Sequence, residues 1–141
     1  MKNKIKLGFI ISGLSNIVAV LILSRFFTNE FIPKYDSTVM SNFGLLMIIV
    51  WGLAYISVAK DYKKIKWLVA VFAIEKLIYG IVWIDWRVQN DVSSVFNEDM
   101  MAGIFYSIYG INDLLFFIFF SYVFIKLIKD SLKTKKHYSK E

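Results

Sequence analysis

The stretch that decides the fold is FAIEKLIYGIVWIDW, Phe72–Trp86. Its apolar residues are numerous enough for a membrane-spanning helix, yet Glu75 and Lys76 stand side by side within it. A charged side chain at the centre of such a helix costs ~2.5–3.5 kcal/mol to insert, so two cost about 5–7 kcal/mol. The Leu, Ile, Val and Phe residues between Leu68 and Ile84 return about 3–6 kcal/mol. The helix is marginal alone, and the reading requires a bundle into which its charged face turns.

Spacing separates the two faces. Val71, Ile74, Ile78 and Ile81 follow a 3, 4, 3 pattern and form an aliphatic stripe suited to lipid. Phe72, Glu75, Lys76, Tyr79, Trp83 and Trp86 lie on the other side. Glu75 and Lys76 diverge by about 100° around the axis, so each is expected to find its partner on a different helix.

Outward from this stretch, the 141 residues are 57% hydrophobic and 18% aromatic, with one proline and no cysteine. A soluble domain this small cannot hide that much apolar surface. Four apolar stretches stand out: Ile5–Phe27, Val39–Ala59, Ile65–Ile84 and Met101–Ile128. Each has about 20 residues or more, enough for a ~30 Å hydrocarbon layer. The expected fold class is all-α, a four-transmembrane-helix antiparallel bundle over residues 1–128 with a basic cytoplasmic tail over 129–141. Short connections predict that the second and third spans are neighbours. The sole proline, Pro33, marks a break in the first outer loop, and the polar loop after Trp86 is expected to form a short cap.

The net charge of +6 is explained by position and not by nucleic acid. Thirteen lysines flank the ends that share the termini: Lys2, Lys4, Lys6, Lys60, Lys63, Lys64, Lys66, Lys126, Lys129, Lys133, Lys135, Lys136 and Lys140. Only Arg25, Lys34 and Arg87 lie at the opposite ends. This asymmetry predicts that both termini lie in the cytoplasm, and the plasma (inner) membrane is the expected location. The first span is too long for a signal core and its end, LSRFF, lacks a small-x-small cleavage site, so an uncleaved helix is expected.

The other spans supply partners for the charged pair. In FYSIYGINDLLFF, Asn112 and Asp113 sit near mid-membrane, and Tyr106, Tyr109, Asp113 and Phe117 share a face opposite Ile104, Ile108, Ile111, Leu115 and Ile118. The first span adds Ser12, Ser15, Asn16 and Ala19; the second adds Gly44, Trp51, Gly52 and Tyr55. Small residues permit close helix approach. Asn16, Glu75, Lys76, Asn112 and Asp113 thus converge at one depth, with Trp51, Tyr79, Trp83 and Tyr109 as candidate walls. Trp67, Trp83 and Trp86 also fall near interfaces, where tryptophan is an ordinary anchor. Two acids and one lysine sum to −1. That predicts a protonated carboxyl group, or a cation or donor-rich ligand that completes the site.

FGLLMIIVWGLAY (Phe43–Tyr55), FAIEKLIYGIVWIDW (Phe72–Trp86) and FYSIYGINDLLFFIFF (Phe105–Phe120) together resemble the BphX-like family of small four-span bacterial membrane proteins. The resemblance implies a four-span architecture and carries no catalytic residues with it.

Three functions fit these residues. A binding module would hold a small amphipathic, aromatic or cationic molecule, or a proton, at the polar centre. A structural or accessory subunit would use the same groups as a paired polar core. A membrane-embedded acid–base enzyme would act on a lipid-like substrate with Glu75 and Asp113; it is the least supported, since no embedded histidine, no cysteine and no phosphate-binding glycine loop accompanies them. No cofactor and no metal is expected. The expected partners are the lipid bilayer and a small ligand, with a homodimer or larger membrane complex left open and no nucleic acid.

Overall fold

The computed structural model describes residues 2–138, and side chains from 3 to 133. Among them the chain is all-helical: α1 (Lys2–Leu23), α2 (Phe31–Tyr35), α3 (Asn42–Val58), a 3-10 turn (Tyr62–Lys64), α4 (Lys66–Gln89), α5 (Val92–Glu98) and α6 (Met100–Tyr138). Three helical segments, Asn3–Leu23, Lys66–Gln89 and Met100–Lys133, are long and apolar enough to cross a membrane. Helix α3 is equally apolar but has 17 residues.

Polar side chains set the helix starts. Ser41 accepts from Gly44 N at 3.2 Å and caps α3. Asp91 accepts from Ser93 N at 3.1 Å before α5, and Asp99 accepts from Ala102 N at 2.8 Å at the head of α6. Each satisfies a first-turn N–H that has no intrahelical partner. Pro33 does not break the chain; it sits in the first turn of α2, where its missing N–H is not needed.

The four long helices pack as two antiparallel pairs, α1 with α3 and α4 with α6, joined where α1 meets α6. The second and third spans, expected to be neighbours, share no close backbone seam. Helices α3 and α4 meet mainly through long side chains, with Tyr55 and Trp51 set edge-on to Phe72 at 4.8 and 6.2 Å. The connection between them steps beneath the bundle, and its Tyr62 stacks on Phe9 of α1 at 5.5 Å. A short loop fixes the ends of two helices, not their contact along the length.

The close pairs rest on glycine. A Cβ on Gly52 would lie 2.7 Å from the Gly13 carbonyl oxygen, and one on Gly13 would lie 2.4 Å from that of Gly52. The α1–α3 crossing is therefore backbone against backbone. A Cβ on Gly110 would lie 2.0 Å from the Trp83 ring, so glycine there admits the indole between α4 and α6.

Two boundaries differ from the apolar runs. Helix α1 ends at Leu23, short of Phe27. Arg25, Phe26 and Phe27 then take φ of 50°, 55° and 68°, a left-handed turn that costs about 1–2 kcal/mol per residue. Buried Ser24 holds it: its Oγ accepts from Phe27 N at 2.9 Å and its carbonyl accepts from Asn29 N at 2.9 Å. At the other end, α6 runs on to Tyr138 and takes up much of the segment read as a tail. No proline interrupts it and no glycine follows Gly110, and its 39 residues extend ~58 Å at about 1.5 Å each, roughly twice a hydrocarbon layer. The side chains of Lys135, Lys136 and His137 lie outside the described ones.

The core falls into two apolar clusters. Phe9, Tyr55, Phe72 and Phe120 anchor the one nearer the termini. Val20, Met40, Trp86, Phe105 and Tyr106 anchor the other, capped by α2 and α5. Along each of α1, α4 and α6, the buried polar residues fall between the two.

Candidate functional site

Lys76 lies at the centre of that polar layer, with 1% of its surface exposed. Its Nζ donates to Asp113 Oδ1 at 2.5 Å and to Asn16 Oδ1 at 2.9 Å. Asn16 in turn donates from Nδ2 to the Ile48 carbonyl at 3.2 Å. One chain of contacts therefore ties α4 to α6, α1 and α3. The Tyr55 ring completes the shell, its centroid 5.4 Å from Nζ.

Glu75 diverges from Lys76, as the 100° step requires. It too is buried, and Oε2 accepts a hydrogen bond from Tyr55 Oη of α3. Its other oxygen, Oε1, is buried without a hydrogen-bond partner. Two further buried oxygens share that condition: Ser12 Oγ, one turn before Asn16, and Tyr109 Oη, one turn before Asp113. An unmet polar group in an apolar interior costs about 1–3 kcal/mol, so three around one layer are an anomaly that calls for a cause.

Tyr109 points to one. A cleft of about 270 Å³ opens between α1 and α6 on the side of the α2–α5 cap. Its polar lining residues are Ser15, Asn16, Tyr109, Asn112 and Asp113, and Ala19, Val20, Leu23, Ile48 and Phe105 form apolar walls. Val18 and Ile108, about half exposed, stand at its rim. The cleft is mostly apolar and opens to the outside of the bundle, with a carboxylate residue and two amide residues, Asp113, Asn16 and Asn112, in its lining.

The sequence candidates thus divide. Asn16, Tyr109, Asn112 and Asp113 border the cleft. Glu75 and Lys76 are buried behind it, linked through Asp113 and Asn16. Trp51 and Tyr79 are half-buried parts of the apolar clusters. Trp83 packs on Gly110 and donates from Nε1 to the Tyr106 carbonyl at 2.7 Å. Trp86 is no surface anchor either: it stacks on Tyr106 at 4.1 Å and donates to the Tyr35 carbonyl at 3.1 Å. A backbone acceptor inside the bundle replaces the wet interface that an indole N–H otherwise seeks. Trp67, by contrast, is 67% exposed. Reading the sequence for site residues missed Phe105, and it placed Ser12 and Tyr55 on the polar stripes of their spans without making them site candidates. Tyr55 carried a signal, since it shares the inward face of α3 with Trp51 and Gly52.

Asp99 and Glu98, at the end of α5, have partners around α2. Arg25 reaches Asp99 at 2.6 Å, and Asn29 Nδ2 reaches the other Asp99 oxygen at 2.9 Å. Lys34 meets Glu98 at 2.5 Å. Burial pushes the Asp99 carboxyl up, but the Ala102 N–H, Asn29 and Arg25 together hold it below its ordinary value of 3.8. These pairs fasten α2 and the end of α1 to the head of α6. No cluster of three metal-ligating side chains occurs among the described residues.

No family model, no curated protein and no solved structure matches this chain.

Proposed function

We propose that the protein binds a small amphipathic or aromatic molecule in the cleft between α1 and α6, taken laterally from the bilayer. The observation that carries this is Tyr109: a buried hydroxyl without a partner, on the wall of a mostly apolar cleft. Few, convergent polar groups on apolar walls are the usual make-up of a small-molecule site. The frame is the four-span bundle of the BphX-like resemblance. Helix α3, though short, crosses with the others because it lies antiparallel along α1, and both termini are cytoplasmic by the lysine asymmetry.

A second reading, a structural or accessory subunit, draws support from the Lys76–Asp113–Asn16 contacts, which resemble a register lock. The two readings are compatible, since the lock forms the back of the cleft. The enzyme reading draws less support, because only one of its two carboxylates, Asp113, borders the cleft.

The test uses 1-naphthol, a small aromatic with one hydroxyl, and equilibrium dialysis against protein-loaded and empty nanodiscs. Binding above the empty-disc background is expected. Tyr109→Phe weakens it about 2–10-fold, the worth of one hydrogen bond, and Ala19→Phe, which fills the cleft, abolishes it. Binding no greater than in empty discs, or unaffected by Ala19→Phe in a protein of unchanged helicity, overturns the reading.

A further inference from the structure

Three ionisable groups share the buried layer, and only one pair of charges is matched. Lys76 is committed to Asp113 at 2.5 Å. Glu75 has a single donor, Tyr55, and one bare oxygen. Burying an uncompensated carboxylate is strongly unfavourable, whereas a carboxylic acid is neutral. A ligand-free layer with Lys76 and Asp113 charged and Glu75 holding a proton would be electroneutral. The cleft, meanwhile, is lined by Asp113 together with two aromatic residues of the same helix, Phe105 and Tyr109, whose rings stack on each other at 5.2 Å. A carboxylate next to aromatic faces is the surrounding that suits an organic cation.

Resting on the cleft reading above, we infer that the preferred ligand is a small aromatic or quaternary ammonium cation, and that each cation bound releases one proton from Glu75. The cation approaches Asp113 and competes for its charge. Lys76 then turns toward Glu75, its neighbour in sequence, with the Tyr55 ring beside both. The O–H bond of the Glu75 carboxyl group breaks, and the proton passes to bulk water. One positive charge enters and one leaves, so the layer stays neutral. The groups that face Glu75 are Tyr55 of α3, Lys76 and Tyr79 of α4, and Asp113 of α6. Helix α1 contributes Ser12 and Asn16 to this layer, and neither titrates.

The experiment uses the full chain in nanodiscs and benzyltrimethylammonium, a cation that has no proton of its own to lose. Its uncharged isostere, neopentylbenzene, serves as the control. Binding and proton release are followed together in weakly buffered solution containing a pH indicator. The expected result is close to one proton per cation and none with the isostere. Affinity for the cation should rise about tenfold per pH unit while Glu75 is protonated in the empty protein. Glu75→Gln should remove both the proton release and the pH dependence, and should weaken the cation tenfold or more, because its charge then enters uncompensated. Cation binding without proton release overturns the exchange and leaves the cleft reading standing. So does 1-naphthol binding with no cation binding at all. The wild-type proton count decides the matter even where Glu75→Gln fails to fold.

Discussion

Lys76 and Asp113 can stand buried between the helices because each answers the other. Changing Asp113 to Asn leaves an ammonium that is 1% exposed without its counter-charge, a loss of about 3–5 kcal/mol. Replacing both, as Lys76→Met with Asp113→Leu, should recover most of that loss, since a well-packed apolar pair of similar volume is often as stable. The check is unfolding in detergent for the two single variants and the double; additive losses would show that the groups do not act as a pair. Glu75 should behave differently. Tyr55→Phe removes its one donor and costs about 1–3 kcal/mol, without involving Asp113. Much of this was legible from residue spacing. The aliphatic stripe through Ile74 and Ile78 turned Glu75 and Lys76 inward, and the need for separate partners followed from the 100° step. Tyr55 stood on the inward face of its span, but its pairing with Glu75 in particular was not legible. On a helix this rich in aromatics, a phenol placed for its hydroxyl looks the same as one placed for its ring.

Helices in this bundle are positioned by where side chains are missing. The α1–α3 crossing puts Gly13 and Gly52 backbone to backbone, so Gly52→Ala would press a methyl to within 2.7 Å of a carbonyl that cannot move aside. A loss of about 1–3 kcal/mol is expected. Gly8→Ala is the useful contrast. Its methyl would meet the far end of the Phe119 ring at 2.3 Å, and that half-buried ring can swing toward lipid. The same unfolding measurement should show Gly8→Ala clearly milder, and equal losses would place the constraint elsewhere. The end of α1 depends on the cap in a second, pH-sensitive way. In the folded chain Asp99 is held below its ordinary value of 3.8, so the folded state binds fewer protons there than the unfolded state. Its stabilisation is complete above that unfolded value and is lost as pH falls through the lower folded one. Wild type should therefore lose more stability than Asp99→Asn on acidification below about pH 4, read as the unfolding midpoint at each pH. Neither the end of α1 nor its cap was readable from the apolar run. Arg25, Phe26 and Phe27 offer none of the residues that signal a left-handed turn, and the groups that hold it come from Ser24, Asn29 and a residue seventy-four positions on.

At the scale of the whole molecule, the question is which side of the membrane each end faces and whether α3 crosses. Helix α3 spans about 26 Å at 1.5 Å per residue, a few ångströms less than a ~30 Å layer. Packing along α1 through Gly13 and Gly52 holds it at the same depth as a helix that is long enough, and a local thinning of the bilayer would absorb the difference at modest cost. If α3 crosses, the α2 loop and the α5 loop share one side, and the 3-10 turn shares the other side with the termini. Lys34–Glu98, a contact between the two cap loops, requires the first of these conditions. On the reading proposed above, the lysine asymmetry would put the turn in the cytoplasm. The chain has no cysteine, so single substitutions give an unambiguous reading. In intact cells, Ser93→Cys in α5 and Ser37→Cys beyond α2 should react with an impermeant maleimide. Lys60→Cys and Lys133→Cys should react only after the membrane is opened. Labelling of Lys60→Cys in intact cells, with Ser93→Cys protected, would invert the orientation. Labelling of Lys60→Cys and Ser93→Cys together would mean that α4 does not separate them, and the cleft between α1 and α6 would then open to water instead of lipid.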